Sequence, residues 1–585
     1  MARIAIVKRE RCKGGIDCPY ICISACPVNR SGKQCILVGE KDKKIMIDEE
    51  LCIGCGICAK KCPYEAIDII NLPHELDKPP VHRYGRNGFH LYNLPIPIFG
   101  KVVGIVGRNG IGKTTALKIL AGLIKPNMGN EKEADYKQII DFFKGTEAQT
   151  FFEKLRDGKI KVAYKPQAVD LIPKQFEGKV IELLKKADEK NILKEVAEKL
   201  EIANILENDI KEISGGELQK IAIAATVLKK ANFYIFDEPT SYLDIKQRIK
   251  ISEFIKELAN SETAVMVVEH DLIILDYMAD LIHIAYGKEG CYGIISLAKS
   301  VKNGINIYLE GYLKEENIRF RDKPIKFFAK PPAESAKETI LCSWNGIIKK
   351  LGNFEIKAEK GDIKKPEVVG IVGENGIGKT TFVKILAGVL KPDSGNILKE
   401  VKVSYKPQYI SSDSEEIVAN VLREAIAKYE IQLIRPLDIK PLLMKKIKEL
   451  SGGELQRVAI AECLSKDAEL FLLDEPSAYL DVEQRLTVSK VIKDIVESKQ
   501  ASCLVVDHDL LFIDYLSERL LVFAGIPAKK GDAKGPFSMQ EGMNIFLTDL
   551  NITMRRDIEN SRPRINKPGS QMDVKQKEEG KLYYL

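Results

Sequence analysis

The sequence predicts a multidomain α/β protein: two homologous P-loop domains in tandem behind a small, cysteine-rich α+β domain. Three observations carry this. Nine of the thirteen cysteines fall within the first 62 residues. A glycine-rich loop, GRNGIGKTT from Gly107, returns as GENGIGKTT from Gly373. The motifs behind each loop also recur, at a nearly constant offset. A chain of 585 residues should hold several cores. The expected boundaries are 1–75, 76–300, a first hinge at 301–330, 331–540, and a second hinge and tail at 541–585.

Composition narrows the class. Hydrophobic residues make up 45% of the chain and charged residues 30%, the values of an ordinary globular protein. No run approaches the ~18 apolar residues of a membrane helix. The opening MARIAIVKRERC has neither an apolar signal core nor a cleavage site. The expectation is a cytoplasmic protein with no membrane partner. A net charge of +7 is a small excess that permits an anionic partner. The stretch ITMRRDIENSRPRINK, with five Arg or Lys against two acids, points the same way more sharply.

In a reducing compartment the crowded cysteines read as metal or cluster ligands rather than disulfides. Cys52, Cys55, Cys58 and Cys62, followed by Pro63, match C-x2-C-x2-C-x3-C-P, the ferredoxin-like run of two-cluster proteins. Three thiolates at spacing three wrap one [4Fe–4S] cluster, and the fourth points to the other cluster. Upstream, Cys12, Cys18, Cys22 and Cys26 form a looser version before Pro27. Cross-ligation therefore places Cys12, Cys18, Cys22 and Cys62 on one cluster, and Cys26, Cys52, Cys55 and Cys58 on the other. Paired zinc sites are the alternative. Cys35 is left over as a non-ligand, and Cys291, Cys342, Cys463 and Cys503 read as small core residues.

The rest of the chain repeats. EISGGELQK returns as ELSGGELQR, YIFDEPTSYLD as FLLDEPSAYLD, and VVEHDL as VVDHDL. Ser214 to Ser451 and Asp237 to Asp474 are each 237 residues apart, and His270 to His508 is 238. Each G-x-x-x-x-G-K-T follows an apolar strand and opens a helix, the context of a nucleotide-binding P-loop. Gly107, Asn109, Gly110 and Gly112, and their counterparts Gly373, Asn375, Gly376 and Gly378, let backbone N–H groups curl around phosphate oxygens. Thr115 and Thr381 continue these loops into the helices. Lys113 and Lys379 should reach the β- and γ-phosphates, and Thr114 and Thr380 should ligate Mg²⁺. YIFDEP and LFLLDEP are buried strands ending in acid pairs. Asp237 and Asp474 suit Mg²⁺, and Glu238 and Glu475 suit the group that polarises attacking water.

SGGELQ resembles the signature of ATP-binding-cassette (ABC) ATPases, and the resemblance spans both repeats. It implies two ABC nucleotide-binding domains facing head to tail, with each ATP between one P-loop and the opposite signature. One site would join Lys113, Thr114, Gln167, Asp237, Glu238 and His270 to Ser451, Gly453 and Glu454. The other would join Lys379, Thr380, Gln408, Asp474, Glu475 and His508 to Ser214, Gly216 and Glu217. The resemblance makes Gln167 and Gln408 sensors of magnesium and water, His270 and His508 γ-phosphate switches, and Asp244 and Asp481 couplers of the two sites. For adenine stacking the candidates are Tyr84 or Phe89, and Trp344 or Phe354.

Between P-loop and glutamine the first copy is longer, 54 positions against 29. The surplus, about residues 131–158, has helical periodicity on both sides of Lys144–Gly145 and reads as a helix–loop–helix, either a surface hairpin or a docking element whose Phe-rich faces need a partner. INIYLEGYLKEENIRFR after the first copy parallels MNIFLTDLNITMRRD after the second. These echoes, with an Arg pair in each, read as hinges lying along the cassette interface.

Clusters, tandem cassettes, insertion, hinges and the ENSRPRINK tail together resemble subfamily-E ABC proteins, the ribosome-recycling factors also called RNase L inhibitors. One departure is a first cysteine gap of five residues rather than four. The resemblance implies an Mg²⁺-dependent ATPase that does mechanical work. It would split ribosomes with a release factor or its stalled-ribosome paralogue, and stay on the small subunit and its RNA, whose phosphates Arg319, Arg321, Arg555 and Arg556 of the hinges would contact. It would act as a monomer whose cassettes pair internally. The alternatives are an ATP-coupled Fe–S electron-transfer protein, or a soluble ATPase subunit of a transporter or Fe–S assembly system.

Overall fold

The computed structural model of the chain describes residues 3–16, 18–40, 42–71, 79–327, 339–398, 401–408, 410 and 413–583. Two compact units emerge. The first takes Met1–Pro239, Phe254–Glu269 and Ala279–Lys323, and the second Thr240–Glu253, His270–Met278 and Pro324–Leu585.

The first unit begins with the cysteine-rich domain. Arg3–Val7 pairs antiparallel with Ile67–Asn71, and Ile36–Val38 with Ile45–Ile47. Short helices, Ile21–Ala25 and Ile57–Lys61, each lie inside one cysteine motif. Its core mixes thiols with aliphatics: Cys12, Cys22, Cys26, Cys35 and Cys58 are buried with Ala5, Val7, Ile36, Ile45, Ile47 and Ile67. So small a domain has too little apolar surface to close a core on hydrocarbon alone.

Behind it lies a sheet of nine strands among the described residues. Its centre is parallel, in the order Leu281–Lys288, Val102–Gly107, Ala264–Val268, Phe233–Asp237, Val162–Lys165. The apolar runs VVGIVG, AVMVV and FYIFD are buried along their whole length, as central parallel strands must be. That order brings the C-terminal ends of Val102–Gly107 and Phe233–Asp237 to one edge, where a crevice opens.

Two sets of polar contacts seat the cysteine-rich domain on this sheet. Asn87, buried and left-handed at φ +57°, accepts from the Ile47 amide at 2.8 Å and donates to the Ala5 carbonyl at 3.1 Å and to Glu49 at 3.1 Å. Asp68 binds Lys8 at 2.8 Å, Lys288 more closely, and the Cys291 thiol at 3.3 Å.

The insertion forms two helices, Tyr136–Phe142 and Glu147–Arg156, the first opened by a capping box between Asp135 and Gln138. Its aromatic face is turned inward. Phe143 stacks on Phe152 at 5.4 Å, Phe151 meets Phe233 edge-on at 5.9 Å, and all belong to the cassette core. The phenylalanines are therefore satisfied by this chain, so the Phe-rich faces call for no external partner.

In the second unit a ten-stranded sheet, again counted over described residues, has a matching parallel centre: Arg519–Ile526, Val368–Val372, Ser502–Val506, Leu470–Asp474, Val403–Lys406. Helix Met539–Leu550 leads to a hairpin of Met554–Arg556 with Pro563–Ile565 and to helix Gln571–Glu578. Arg562 is fully buried and donates to Asp276 at 3.0 Å, and Arg564 grips the same carboxylate at 2.6 and 2.9 Å. Two of the arginines expected on RNA are engaged inside the protein. Arg321 donates to the Tyr308 and Leu309 carbonyls at the end of helix Val301–Glu310, and Arg556 holds Asp514 and the Ser561 carbonyl. Arg319, by contrast, is exposed over the Tyr312 ring, and Arg555 is half-buried.

Candidate functional site

The first P-loop turns from strand Val102–Gly107 into helix Lys113–Leu120 through Gly112, at φ +89°. A side chain there would meet the Phe89 ring at 2.7 Å, so only glycine lets the loop close over that ring. The buried Lys113 ammonium donates to the Gly107 and Arg108 carbonyls at 2.8 and 2.7 Å. Thr114 donates to Asp237 at 2.9 Å, and Gln167 to the Glu238 carboxylate at 2.7 Å. Glu238 itself sits at φ +49°, a strained backbone held by its surroundings. Lys165 binds the carbonyls of Asp237 and Glu238 at 2.9 and 3.1 Å, and Gln219 also donates to the Glu238 carbonyl.

These residues line a cavity of about 420 Å³ with Tyr84, Phe89, Asn109, Gly110, Thr115 and Gly290. Tyr84, whose hydroxyl is 3.1 Å from that of Thr115, stands half in solvent at one side. Burial, then the neighbouring Glu238, pushes the Asp237 carboxyl up against the pull of Thr114, Lys165 and Lys113. Burial also brings Lys165 down to about 8. Two adjacent acids and a buried lysine, packed at a loop of backbone N–H groups, fit a magnesium-bound polyphosphate.

The second P-loop repeats the arrangement. Gly378, at φ +94°, closes over Phe354 as Gly112 closes over Phe89. Lys379 donates to the Gly373 and Glu374 carbonyls at 2.9 and 2.5 Å. Gln408 meets the Glu475 carboxylate at 2.7 Å, Gln456 donates to the Glu475 carbonyl at 2.6 Å, and Lys406 to the Asp474 carbonyl at 2.7 Å. Burial pushes the Asp474 carboxyl up, against the pull of Thr380, Lys406 and Lys379. Glu475, at φ +48°, is raised to about 7 by burial, Asp474 and Asp507. His508, 3.7 Å from Glu475, is buried and held neutral, with Lys379 and Arg248 adding to that effect. His270 is likewise buried. Asp244 accepts from the Asn375 amide at 2.9 Å and from Gln247, and Asp481 caps helix Val482–Lys499 through Gln484.

Ser214 caps helix Gly215–Val227 in a capping box with Glu217, and Ser451 does the same for Gly452–Ser465 with Glu454. Gly216 and Gly453 stand in the first turns of these helices. Among the stacking candidates, Tyr84 and Phe89 reach the cavity. Trp344 does not suit stacking: it is 1% exposed and set edge-on against Phe382 at 5.2 Å in the sheet core. Phe354 is half-buried under its loop.

Sequence reasoning missed several members. Lys165 and Lys406 lie in the repeated YKPQ, and Gln219 and Gln456 in the repeated GELQ, so the repeat marked all four. Arg248 on Asp271 and Arg485 on Asp509 also occupy matched positions and anchor the residue after each histidine.

The cysteines gather as two groups. Cys22 has Cys62, Cys18 and Cys12 as charge neighbours, and burial pushes its thiol up to about 12. Cys58, raised to about 11 by burial, has Cys52, Cys55 and Cys26. The second group rings a cavity with Gly54, Gly56, Ile47 and Ile53, and Cys35 lines it too. Among the described residues no three such ligands converge on a point that would hold one ion. Thiols spread around a cavity fit a multi-iron cluster.

Comparison with known proteins agrees with this geometry. The ABC transporter family model matches residues 98–241 and 356–478, and the 4Fe–4S binding domain model matches residues 45–68. An uncharacterized ABC transporter ATP-binding protein of Methanocaldococcus jannaschii is 51% identical, over 100% of this chain and 98% of its own length. ABC transporter E family member 1 of Arabidopsis thaliana is 46% identical, over 100% and 99%. The chain belongs to the ABC transporter E family. Two solved structures resemble this E-family chain. One is a chain of a model of ribosome-bound archaeal Pelota and ABCE1, with TM-score 0.93 and 49% identity over 100% of this chain and 99% of that one. The other comes from the complex of archaeal ribosomal stalk protein aP1 with archaeal ribosome recycling factor aABCE1, with TM-score 0.83 and 52% identity over 88% and 100%. The E-family chain thus carries two ABC ATPase domains, which use ATP and Mg²⁺, and a 4Fe–4S domain. Among the described residues no helix is long and apolar enough to cross a membrane.

Proposed function

We propose that the chain is an ATP-driven, cytoplasmic ribosome recycling factor. It splits ribosomes into subunits after termination or stalling, works with a release factor or its stalled-ribosome paralogue, and stays on the small subunit. The observation that carries this reading is the likeness, over the whole chain, to a member of a ribosome-bound assembly at TM-score 0.93.

ATP hydrolysis to ADP and phosphate supplies the work, and the matched residues divide it. Lys113 and Lys379 exchange their loop carbonyls for β- and γ-phosphate oxygens. Thr114, Gln167 and Asp237, and in the second site Thr380, Gln408 and Asp474, would hold Mg²⁺, which when bound offsets phosphate charge. Glu238 and Glu475 aim the attacking water and take its proton, and Gln167 and Gln408 keep those carboxylates in place. His270 and His508, the latter held neutral by burial, donate to the γ-phosphate. Ser214, Gly216 and Glu217, and Ser451, Gly453 and Glu454, are the phosphate-capping halves that each ATP draws from the other cassette, with Asp244 and Asp481 coupling the two events. Phe89 and Phe354 support the loops, and Tyr84 stacks on adenine. Two [4Fe–4S] clusters, on Cys12, Cys18, Cys22 and Cys62 and on Cys26, Cys52, Cys55 and Cys58, stiffen the first domain.

The test is a sucrose-gradient assay with ribosomes, ATP and a release factor. Wild-type protein should convert ribosomes to subunits only with ATP. Glu238→Gln with Glu475→Gln should lower hydrolysis by about 10²–10⁴-fold and leave the protein on the small subunit, with retention falling as salt rises. Splitting without ATP, or rapid release of the double variant, would overturn the reading.

A further inference from the structure

A [4Fe–4S] cluster takes four thiolates, yet five cysteines line the second cavity: Cys26, Cys35, Cys52, Cys55 and Cys58. The fifth, Cys35, matches no position of the ligand motif. Its side chain is only 1% exposed, the deepest of the five. Its sulfur donates to the Asp48 carbonyl at 3.8 Å, and it shares the cavity wall with Cys26 and Cys52. Backbone bonds fix it there: the Cys35 carbonyl accepts from the Asp48 amide at 2.7 Å, and the Asp48 carbonyl accepts from the Cys52 amide at 3.0 Å. Cys35 and Cys52 are thus braced against one residue.

The named ligands differ in protection. Cys55 is exposed and Cys52 half-buried, beside the exposed Ile53. Accessible thiolates are the ones that oxidants reach first. The buried fifth thiol stands next to one of them.

Building on the two-cluster reading above, we propose that Cys35 is a reserve ligand of the second cluster, able to replace Cys52 or Cys26 when either thiolate is lost. In the exchange the Cys35 thiol gives its proton to solvent and its sulfur forms the iron bond that the lost residue has vacated. No electron is transferred, so no oxidant or reductant is needed.

Iron and acid-labile sulfide per chain, with EPR of the reduced protein, test this on anaerobically purified full-length protein. Wild type and Cys35→Ala should both carry the iron of two clusters. Cys52→Ala should keep that iron with a changed EPR signal, and Cys35→Ala/Cys52→Ala should fall to half. Cys26→Ala, alone and with Cys35→Ala, repeats the comparison where Cys52→Ala does not fold. Half the iron in both Cys52→Ala and Cys26→Ala, or in Cys35→Ala alone, would overturn the reserve role. A wild type holding only one cluster would instead fail the two-cluster reading, a distinct result.

Discussion

At Asp68 two opposing effects meet. Burial favours the neutral acid, Lys288 and Lys8 favour the carboxylate, and the lysines win, holding the group at about 2. Because the folded value lies below the ordinary 3.8, the stabilisation is fully present above about pH 4 and is lost as pH falls toward 2. Asp68 is 17% exposed and Lys288 50%, so screening trims the gain to about 1–2 kcal/mol. Asp68→Asn should therefore speed amide exchange in strand Ile67–Asn71 by roughly tenfold at neutral pH, and the gap from wild type should close in acid. A gap that persists unchanged to pH 2 would mean that the ion pairs are idle. The same contest between burial and charge runs through the nucleotide sites. There the acids rise, because burial and the neighbouring carboxylates outweigh the lysines beside them.

Among the elements, the loop from Tyr84 to Phe89 does two things at once. Tyr84 and Phe89 face the nucleotide cavity, while Asn87 between them bonds two strands of the cysteine-rich domain. Asn87→Ala would orphan the Ile47 amide and the Ala5 carbonyl, at about 1–3 kcal/mol for each buried group. The expected outcome is faster hydrogen exchange at Ile47 with the P-loop amides unaffected. Equal loosening of both would show a simple unfolding of the loop. Local spacing made much of this fold readable. The α/β class, the repeat and the 4Fe–4S domain all follow from motifs a few residues long. Asn87 escaped notice because its partners are 40 and 82 residues away, and the Arg562–Asp276 pair because 286 residues separate its halves. Trp344 misled because an aromatic residue before a P-loop can face adenine or core. Its neighbours Leu341 and Cys342, both buried, show that this part of strand Thr339–Leu351 faces the core. The insertion misled in the same way: Phe-rich faces can signal a partner, or the chain's own Phe233.

For the molecule as a whole, the cysteine cavity and the nucleotide cavity have no lining residue in common. Cys58→Ser should accordingly halve the iron while ATP turnover, measured without ribosomes, persists. Turnover that vanishes in a folded variant would show that the modules are one working part. Trp344 deserves a last consequence, because it is the chain's sole tryptophan. It packs on Phe382, in the helix that follows the second P-loop, and nothing like it exists in the first unit. Indole emission is therefore a built-in, label-free reporter of one half of the protein. A fluorescence melt follows the second unit, a calorimetric melt follows both, and any separation between the curves measures how far the two halves unfold independently.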